Sequence, residues 1–588
     1  MGARQYFSAL GVVVAGTGLL ASAPAFAQSV APTRDELTRP QPNAAPPKST
    51  LNIVGGVERS PCPLANPEFA DVRVRLSDVQ FNNLKGASAG EMRRTWADYA
   101  GIDQPVSVIC EIRDRAATYL RDKGYLAAVQ VPTQRIENGI VRLEVLYARV
   151  TTIRARGQTG GAEAKLAGYL SKLTEDEVFD RNRAERYLLL ARDIPGYNVQ
   201  LTLKPAGTGP GELIGEVSVI RQPYALDAVV QNLAASETGR WGGQLRGQAY
   251  GLTGLGDSTF VSVYSTLDFK EQQIVQVGHS FRPGNEGLTI SGQFTYAWTK
   301  PSIDSTNPSD PDIKAKTLFA TLGLTYPVIR SQSNNLTLGG GFDFVDQKVN
   351  FIGPLTRDHL RVAFIRADFD AVDLKSRRPK WKVGGGIELR KGLDIFGASE
   401  KCCDEGDTPP SRADGRATGA LVRINAVGEF ALGDSLALAI APRAQIGFDP
   451  LLSFEEFTVG NYTVGRGYDP ATLTGDSGAG LTVELRGPRV APLKRSRFLI
   501  QPYVFGDAAW VWNKNNGCNP DTIPGGNCPR PDPEHLKSAG GGLRAGLDER
   551  LSIDAAVAVP LEKAGVEHKR GSPRFLLTLT TRLLPWRS

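Results

Sequence analysis

The residue that first invites a chemical interpretation is a single arginine in a glycine-rich connection. Arg466 lies between Gly465 and Gly467 in the stretch GNYTVGRGYDPATLTGDSG, which runs from residue 460 to residue 478. An arginine carries a permanent charge and several N–H donors, so it can bind a carboxylate or a phosphate. The surrounding residues are typical of β-strands, which leaves two interpretations open. The connection is either a simple spacer or a part that has to fit a confined place.

Other residues that could act in catalysis or bind a metal lack partners at a suitable spacing in the sequence. The stretch GDSGAG around Ser477 would suit a nucleophilic serine, but a catalytic triad also needs a histidine and an acid beside it. The four histidines are far apart in the sequence, at positions 279, 359, 535 and 568. Acidic residues between Lys401 and Asp407 could bind calcium, although a solvated loop is the simpler interpretation. No CxxC pair or histidine cluster indicates zinc, so we predict no enzyme, no metal site and no cofactor.

The N-terminus and the cysteines indicate export from the cytoplasm. Residues 1–27 start with a positive charge, continue with a short apolar run and end in APAFA, which predicts a signal peptide rather than a buried helix. Disulfides persist outside the cytoplasm, and the even count of six cysteines fits pairing. Cys518 and Cys528 share one polar stretch and are expected to close a loop. Cys62 with Cys110 is a second candidate pair.

The segment that follows the signal peptide contains a linker and an internal repeat. Residues 28–68 carry eight prolines and predict an extended linker. In residues 69–147 the hydrophobic periodicity predicts a strand, two helices and two strands. The same order recurs in residues 148–221. Two consecutive β-α-α-β-β units of similar length indicate two related α/β domains.

Residues 222–588 predict a β-barrel that spans a membrane. Helical periodicity disappears there, and sixteen candidate strands follow. Their number is even, and each strand has about the length that is needed to cross a bilayer. In the thirteenth strand Val504 and Trp510 share one face, whereas Tyr503 and Asp507 share the other, as expected for lipid outside and water inside. Every backbone polar group in a bilayer must be paired, which a closed barrel achieves and an open sheet does not. A soluble β-sandwich is the alternative.

The order of the domains indicates transport of a polypeptide. A barrel of sixteen strands is wide enough for an aqueous lumen, but a passive pore has no need of two repeated α/β domains. Such domains present strand edges to which an extended peptide can add, which favours capture of an unfolded polypeptide before it enters the pore. The sequence has no P-loop, so transport is expected to rely on binding and on folding at the far side. A net charge of +6 gives no reason to expect nucleic acid as a partner.

Several segments resemble transporters of two-partner secretion, the hemolysin secretion/activation family. Tyr119–Val145 and Arg186–Val219 resemble the first and second POTRA domains of that family. GLGD at Gly254–Asp257 and HSFRP at His279–Pro283 look like its early barrel hairpins. The resemblance covers nearly the whole mature chain.

Two short motifs extend the resemblance into the barrel. One is similar to the V-R-G-Y/F motif on the family's long sixth extracellular loop and consists of Val464, Gly465, Arg466, Gly467 and Tyr468. The other, FGDAA with Phe505 and Asp507, is similar to its F-x-D-x-G motif on a late strand. The resemblance implies that the sixth loop folds back into the lumen, where Arg466 forms a two-pronged contact with Asp507. The sequence departs from the pattern at two positions: glycine replaces a branched residue before the arginine, and Ala509 replaces a glycine.

The resemblance also implies an architecture, a location and partners. The fold is a transmembrane β-barrel of sixteen antiparallel strands in the outer membrane of a Gram-negative cell, preceded by two periplasmic α/β POTRA domains. The implied partners are a secreted exoprotein with an N-terminal secretion domain (hemolysin-like or adhesin-like), outer-membrane lipid and the barrel assembly machinery. The family's N-terminal plug helix is not evident, because the segment Thr33–Arg39 is short and flanked by prolines. An outer-membrane protein assembly factor of the same superfamily, and a passive porin or receptor, are the alternatives.

Overall fold

The protein is described by a computed structural model that covers residues 31–38, 51–53, 61–209, 211–302, 312–400, 408–492, 497–514, 533–548, 550–565 and 570–585. The predicted signal peptide and the predicted Cys518–Cys528 disulfide lie outside these residues. Within them, no helix combines the length and the apolar character needed to cross a membrane.

The N-terminal part of the described chain contains helices of four to fifteen residues and short strands. The α-helices are Arg34–Leu37, Ala89–Met92, Val108–Asp122, Glu163–Ser171 and Arg181–Arg192. One-turn 3-10 helices lie at Pro63–Ala65, Pro67–Phe69, Arg93–Thr95 and Ala97–Tyr99. The strands are β1 (Leu51–Ile53), β2 (Arg73–Arg75), β3 (Asp78–Asn82), β4 (Asp103–Pro105), β5 (Ala127–Gln130), β6 (Ile140–Tyr147), β7 (Arg149–Gly157), β8 (Tyr197–Pro205) and β9 (Glu212–Arg221).

Residues 69–147, which we call domain 1, pack one long helix against a three-stranded sheet. The sheet has the order β3-β6-β5, in which β3 is parallel and β5 antiparallel to β6. The helix Val108–Asp122 buries Ile109, Ile112 and Leu120 against this sheet. With the buried Ala116, these apolar residues recur every three or four positions and so lie on one helical face.

The first helix predicted in domain 1 is shorter than expected. It begins with a capping box, in which the Glu91 N–H donates to the Ser88 hydroxyl and the Ser88 N–H donates to the Glu91 carboxylate. The α-helix ends at Met92, and two 3-10 turns follow. There the Thr95 hydroxyl donates to the Met92 carbonyl at 2.7 Å. Such side-chain-to-backbone bonds compete with the regular α-helical pattern.

Residues 148–221, which we call domain 2, repeat the predicted order of strand, helix, helix, strand and strand. The sheet has the order β1-β8-β9-β7, with β7 parallel and β8 antiparallel to β9. Tyr169 and Leu188, one from each helix, are buried with Leu201 and Val217 of the sheet. The fourth strand, β1, comes from the segment before domain 1 and pairs in parallel with β8.

The expectation that residues 28–68 form only an extended linker is therefore wrong in places. Within this range Arg34–Leu37 is helical, Leu51–Ile53 is a strand and Pro63–Ala65 is a 3-10 turn. Prolines exclude a long helix or a central strand, but they allow one helical turn and an edge strand. Each ordered piece is short, and its stability comes from the rest of the protein rather than from its own sequence.

The remaining chain forms a closed barrel of sixteen antiparallel strands, as predicted. The first and last barrel strands pair with each other, with Ala228 opposite Thr581. The barrel strands are β10 (Tyr224–Gln231), β11 (Gly242–Tyr250), β12 (Ser258–Thr266), β13 (Gln272–Phe281), β14 (Thr289–Thr299), β15 (Lys314–Arg330), β16 (Asn334–Phe351), β17 (Gly353–Val372), β18 (Trp381–Gly392), β19 (Ala420–Ala431), β20 (Ala437–Gly447), β23 (Ser477–Arg486), β24 (Phe498–Trp512), β25 (Glu534–Leu547), β26 (Leu551–Pro560) and β27 (Arg574–Leu584). Between β20 and β23, the strands β21 (Phe457–Val459) and β22 (Leu473–Gly475) form a separate hairpin.

Side chains of the barrel strands alternate between the lumen and the outer surface. On β24, Phe505 and Asp507 are buried, whereas Val504, Trp510 and Trp512 are exposed. Asp507 therefore faces the lumen, as predicted. An apolar outer face with aromatic residues near one end is typical of a barrel in a bilayer.

Domain 2 is fastened to one end of the barrel, which we call the domain end; the opposite end is the loop end. Asp193 accepts two hydrogen bonds from Arg330, and both the Nε–Oδ2 and the Nη2–Oδ1 distances are 2.7 Å. The Tyr187 hydroxyl donates to the Glu286 carboxylate at 3.0 Å. Because these contacts are directional, domain 2 has a defined orientation against the barrel.

Candidate functional site

The connection that contains Arg466 folds back into the barrel lumen. It joins β20 to β23 and is the sixth connection at the loop end, so we call residues 448–476 loop 6. Almost every residue from 450 to 461 is buried, although a surface loop of this length would be exposed. The hairpin β21–β22 packs Phe457 and Leu473 against Val511 on the lumen face of β24. Loop 6 is therefore packed against the barrel wall and is not a simple spacer.

Arg466 contacts Asp507 on the inner wall. The Nη2–Oδ1 distance is 2.9 Å and the Nε–Oδ2 distance is 3.2 Å, and the backbone N–H of Arg466 also donates to Oδ2, at 3.0 Å. The Asp507 side chain is completely buried, and that of Arg466 is 17% exposed. A two-pronged contact in such a sheltered position is strong and directional.

The barrel wall supplies further hydrogen bonds to Asp507. The Thr482 hydroxyl on β23 donates to Oδ1 at 3.1 Å, and the Ser538 hydroxyl on β25 donates to Oδ2 at 3.0 Å. The carboxylate is thus oriented by both neighbouring strands as well as by Arg466. Donors that come from the wall keep the acceptor oxygens aimed at the lumen.

A second carboxylate, which sequence reasoning missed, binds the same arginine. Glu484 on β23 accepts a hydrogen bond from Arg466 Nη1 at 2.8 Å. It also accepts one from Arg486 at 2.9 Å and two from Arg544, at 2.9 and 3.0 Å. The alternation of side chains along β23 could have predicted Glu484, because Thr482 and Glu484 are two residues apart and both face the lumen.

Two aromatic residues of the motifs hold the arginine and the loop tip in place. The Arg466 guanidinium lies over the Phe505 ring, with Cζ 3.5 Å from the ring centroid, which is a cation–π contact. The Tyr468 hydroxyl lies 2.9 Å and 2.8 Å from the carbonyl oxygens of Lys537 and Glu562. The loop tip is therefore attached at two points on neighbouring parts of the wall.

The glycines beside Arg466 are required by the turn and by close packing. Gly465 has a φ of 110°, a backbone conformation in which other residues are strained. A Cβ at Gly465 would lie 2.6 Å from Leu536 Cδ1, and a Cβ at Gly467 would lie 2.8 Å from the Pro560 nitrogen and 2.9 Å from Ser538 Cβ. The departure from the family pattern at position 465 thus has a physical reason in this protein.

Small residues of the barrel wall make room for loop 6. A Cβ at Gly478 would lie 2.1 Å from the Phe457 ring, and a Cβ at Gly480 would lie 2.9 Å from Val464 Cγ2. Ala509 has no exposed surface and belongs to the same buried cluster as Val464. Loop and wall are complementary in shape.

A second ion-pair cluster fastens loop 6 to a different part of the wall. Glu455 accepts hydrogen bonds from Arg390 Nε and Nη2, both at 2.8 Å, and from Arg423 Nη2 at 3.1 Å. Arg390 also donates to Asp343 at 2.7 Å and is itself almost fully buried. Sequence reasoning missed this cluster, whose members come from β16, β18, β19 and the loop.

The helix Arg34–Leu37, which we call the lumen helix, lies inside the barrel. Asp35 accepts a hydrogen bond from Arg443 of β20 at 3.1 Å, and Gln276 of β13 donates to the carbonyl of Leu37 at 2.9 Å. Sequence reasoning found no plug helix because a segment of this length has little intrinsic helical stability. Contacts with the barrel supply that stability.

The lumen helix also contacts loop 6. Arg34 donates to Glu455 at 3.3 Å, and the Thr458 hydroxyl donates to Asp35. A capping box of Thr33 and Glu36 closes the N-terminus of the helix. Loop 6 and the lumen helix therefore form one connected assembly within the pore.

Beside the lumen helix lies a partly open cavity of about 420 Å³. Its walls come from β11 to β18 and are mostly polar, with Ser258, Ser280, Ser291, Gln293 and Thr321 among them. The strands that hold Arg466, β23 to β25, contribute no lining residue among those that the structure describes. This cavity and the Arg466 contact thus lie in different sectors of the barrel.

One candidate disulfide falls within the described residues. Cys62 and Cys110 are bonded to each other and join the chain just before domain 1 to the helix Val108–Asp122. Cys518 and Cys528 lie outside the described residues. The bond ties the end of the N-terminal segment to the core of domain 1.

The closed barrel with α/β domains at one end and its own loop and helix in the lumen defines a class of protein, the outer-membrane barrels with periplasmic domains. Residues 217–526, more than half of the chain, match the family described as "Haemolysin secretion/activation protein ShlB/FhaC/HecB", and the chain belongs to this family. It is accordingly an outer-membrane protein of the secretion and transport type, and the resemblance inferred from the sequence is confirmed.

Solved structures support the same fold. CdiB from Escherichia coli aligns with a TM-score of 0.71 and 16% identity, covering 90% of this chain and 94% of that one. CdiB from Acinetobacter baumannii aligns with a TM-score of 0.62 and 16% identity, covering 96% of this chain and 99% of that one. No curated protein sequence gives a significant match.

Proposed function

We propose that this protein captures an unfolded exoprotein with its two N-terminal domains and passes it through the barrel to the cell surface. The observation that carries the proposal is that the lumen contains two segments of the chain itself, loop 6 and the lumen helix. Both are held by side-chain contacts and not by the pairing of barrel strands. A pore closed by segments that can move without opening the barrel suits the controlled passage of one long substrate better than passive diffusion.

The sheet of domain 2 supports capture by strand addition. Its β8 edge already accepts an extended segment, since β1 pairs there in parallel, with Leu51 opposite Leu201. Among the described strands, the other edge, β7, is paired with β9 alone, and it carries the exposed Arg154 and Arg156. An open edge offers backbone donors and acceptors to an extended peptide. We propose that the N-terminal secretion domain of the exoprotein binds along such edges in the periplasm.

The Arg466–Asp507 contact then serves as a tether that keeps loop 6 against one sector of the wall. The cavity beside the lumen helix lies in another sector, and Arg34 and Thr38 of the N-terminal segment border it. Displacement of the lumen helix would enlarge this space while loop 6 stays attached. The exoprotein would pass along the polar walls of β11 to β18.

Transport in this proposal uses no nucleotide. The sequence has no P-loop, and folding of the exoprotein on the cell surface supplies the direction of movement. The outer face of the barrel contacts outer-membrane lipid, and the barrel assembly machinery inserts it. The protein itself is proposed to have no enzymatic activity and no cofactor.

A deletion separates this function from that of an outer-membrane protein assembly factor. Removal of residues 69–221 is expected to abolish release of one large exoprotein while other outer-membrane proteins stay at normal levels. General loss of barrel proteins would instead favour the assembly factor, and unchanged release would favour a passive pore. The double variant Arg154→Glu/Arg156→Glu keeps both domains and tests the β7 edge alone, with lower secretion expected from an intact barrel.

A further inference from the structure

Three loops at the loop end of the barrel meet around one buried carboxylate. Glu271 ends the tight turn between β12 and β13, and its backbone carbonyl accepts a hydrogen bond from the N–H of Lys300 at 2.6 Å. Its Oε1 accepts one from the Ser302 hydroxyl at 3.1 Å. A Cβ at Gly239, in the loop between β10 and β11, would lie 3.0 Å from Glu271 Oε2 and 2.8 Å from the Thr266 methyl group. Glu271 is thus enclosed by residues from all three loops.

The charge at this position has no counterpart within the described chain. Glu271 is 9% exposed, and its Oε2 is buried with no hydrogen-bond donor in the described parts of the chain. The carboxylate of Asp268, on the same turn, lies within hydrogen-bonding range of that of Glu271. Neither carboxylate has an ion-pair partner among the described residues, and Lys300 binds Asp312 instead, at 2.9 Å. Two adjacent carboxylates, one of them buried, repel each other and are costly without a cation.

Two buried hydroxyl groups belong to two of the loops that meet at Glu271. Thr266 is 1% exposed and Thr238 is 7% exposed, and neither Oγ1 makes a hydrogen bond of normal geometry to any residue that the structure describes. The Thr266 side chain lies next to the Asp268 carboxylate, and Thr238 immediately precedes Gly239. Buried hydroxyl groups normally have partners, so these two are further oxygen atoms available to a ligand.

We propose that Asp268, Glu271, Thr238 and Thr266 form a calcium site. Ca²⁺ takes roughly six to eight oxygen ligands in a flexible geometry, whereas Mg²⁺ demands a near-ideal octahedron. Two carboxylates and two hydroxyl groups at irregular positions suit Ca²⁺, with water in the remaining positions. The ion offsets the two negative charges and gives the buried oxygens a partner. Its ligands come from two loops, and Ser302 of the third loop holds Glu271, so the ion fastens three loops at the exit of the pore.

The test uses the full-length protein purified in detergent and stripped with EDTA. We expect CaCl₂ at about 10⁻³ M, the range of extracellular calcium sites, to raise the midpoint of thermal unfolding. Tb³⁺ is expected to bind in place of Ca²⁺ and to emit when Trp241 is excited, because the Trp241 carbonyl accepts a hydrogen bond from the N–H of Leu267, on the same turn as Asp268, at 3.0 Å. Glu271→Gln and Asp268→Asn each remove one charged ligand and are expected to weaken binding about tenfold or more.

Asp434→Asn is the matched control, since Asp434 is an exposed carboxylate in the turn between β19 and β20 at the domain end. It should bind Ca²⁺ and Tb³⁺ as the wild type does. A wild type without a response to Ca²⁺, or Glu271→Gln with a wild-type response, overturns the proposal. An equal response to Mg²⁺ overturns the assignment to calcium. Should Glu271→Gln fail to fold, Asp268→Asn at its exposed position decides the question alone.

Discussion

Arg466 of loop 6 and Asp507 of β24 meet inside the barrel in a two-pronged ion pair, with distances of 2.9 and 3.2 Å between paired atoms. The pair joins a loop to the wall and does not contribute to the pairing of any two barrel strands. Its removal is therefore expected to free the loop tip without opening the barrel, so that transport and assembly can be measured separately.

Arg466→Ala is expected to cripple secretion while the barrel still assembles. The variant leaves a buried carboxylate without its cation, which costs about 3 kcal/mol, the lower end of the range for broken buried pairs, because the guanidinium is partly accessible. Secretion is measured as exoprotein in the medium, and assembly as the heat-modifiable barrel band on a gel. Normal secretion by this variant would contradict the proposal that Arg466 tethers loop 6 to the wall.

Two further variants test whether the two residues act as a pair. Asp507→Ala is expected to resemble Arg466→Ala, and the charge-swapped double variant should recover part of the secretion. Arg497→Ala is the control, because Arg497 pairs with Asp548 at 3.5 Å but is 74% exposed. Exposed pairs contribute about 0–1 kcal/mol, so secretion should be unchanged.

Gly465→Ala is expected to displace the loop tip and to lower secretion. Alanine is strained at a φ of 110°, and its Cβ would clash with Leu536 at 2.6 Å. Gly433→Ala is a matched control for strain alone, since Gly433 has a φ of 103° and nothing within 4 Å of an added Cβ. If both variants lose the same amount of secretion, packing against Leu536 is not the reason for the glycine.

Deletion of residues 31–38 is expected to raise the single-channel conductance of the purified protein in a planar bilayer. The deletion removes the lumen helix and the side chains of Arg34 and Thr38 that border the cavity. Asp434→Asn, in the exposed turn between β19 and β20, is the control, because it leaves the lumen helix and the residues that line the cavity in place. Unchanged conductance after the deletion would show that the helix does not limit the pore.

Arg330→Ala is expected to loosen domain 2 from the barrel. It breaks two 2.7 Å hydrogen bonds to Asp193, and bonds to a charged group contribute about 1.5–3 kcal/mol. Spin labels on domain 2 and on the barrel should show a broader distribution of distances. Arg377→Ala, an exposed arginine in a neighbouring turn at the domain end, should leave the distribution as it is in the wild type.

Reduction of the Cys62–Cys110 bond is expected to destabilise domain 1. The two cysteines are 48 residues apart. A disulfide that closes a loop of this size contributes about 4 kcal/mol to the free energy of unfolding, because it restricts the unfolded chain. Limited proteolysis of the full-length protein with and without reductant measures the effect. The double variant Cys62→Ser/Cys110→Ser should be cleaved as readily as the reduced wild type, and reductant should change it no further.

Local patterns in the sequence were sufficient to predict most of the architecture. A barrel strand alternates because one face meets lipid and the other meets water, and this alternation is visible in the clearest of the strands. Together with the loss of helical periodicity, it predicted all sixteen barrel strands and the inward direction of Asp507. The same alternation could have predicted that Glu484 faces the lumen, because it lies two residues from Thr482 on the same strand. The pairing of Arg466 with Asp507 was expected only through resemblance to a family.

The contents of the lumen were decided by the tertiary structure alone. Arg34 and Glu455 are 421 residues apart, and no local pattern indicates that they meet. The lumen helix has four residues, so its stability depends on the barrel around it. Gly465 departs from the family pattern because Leu536 occupies the space that a side chain would need there. The sequence determines which face of each strand is apolar, because water and lipid act on every residue separately. Close packing depends on which distant residues share one space, and only the folded chain determines that.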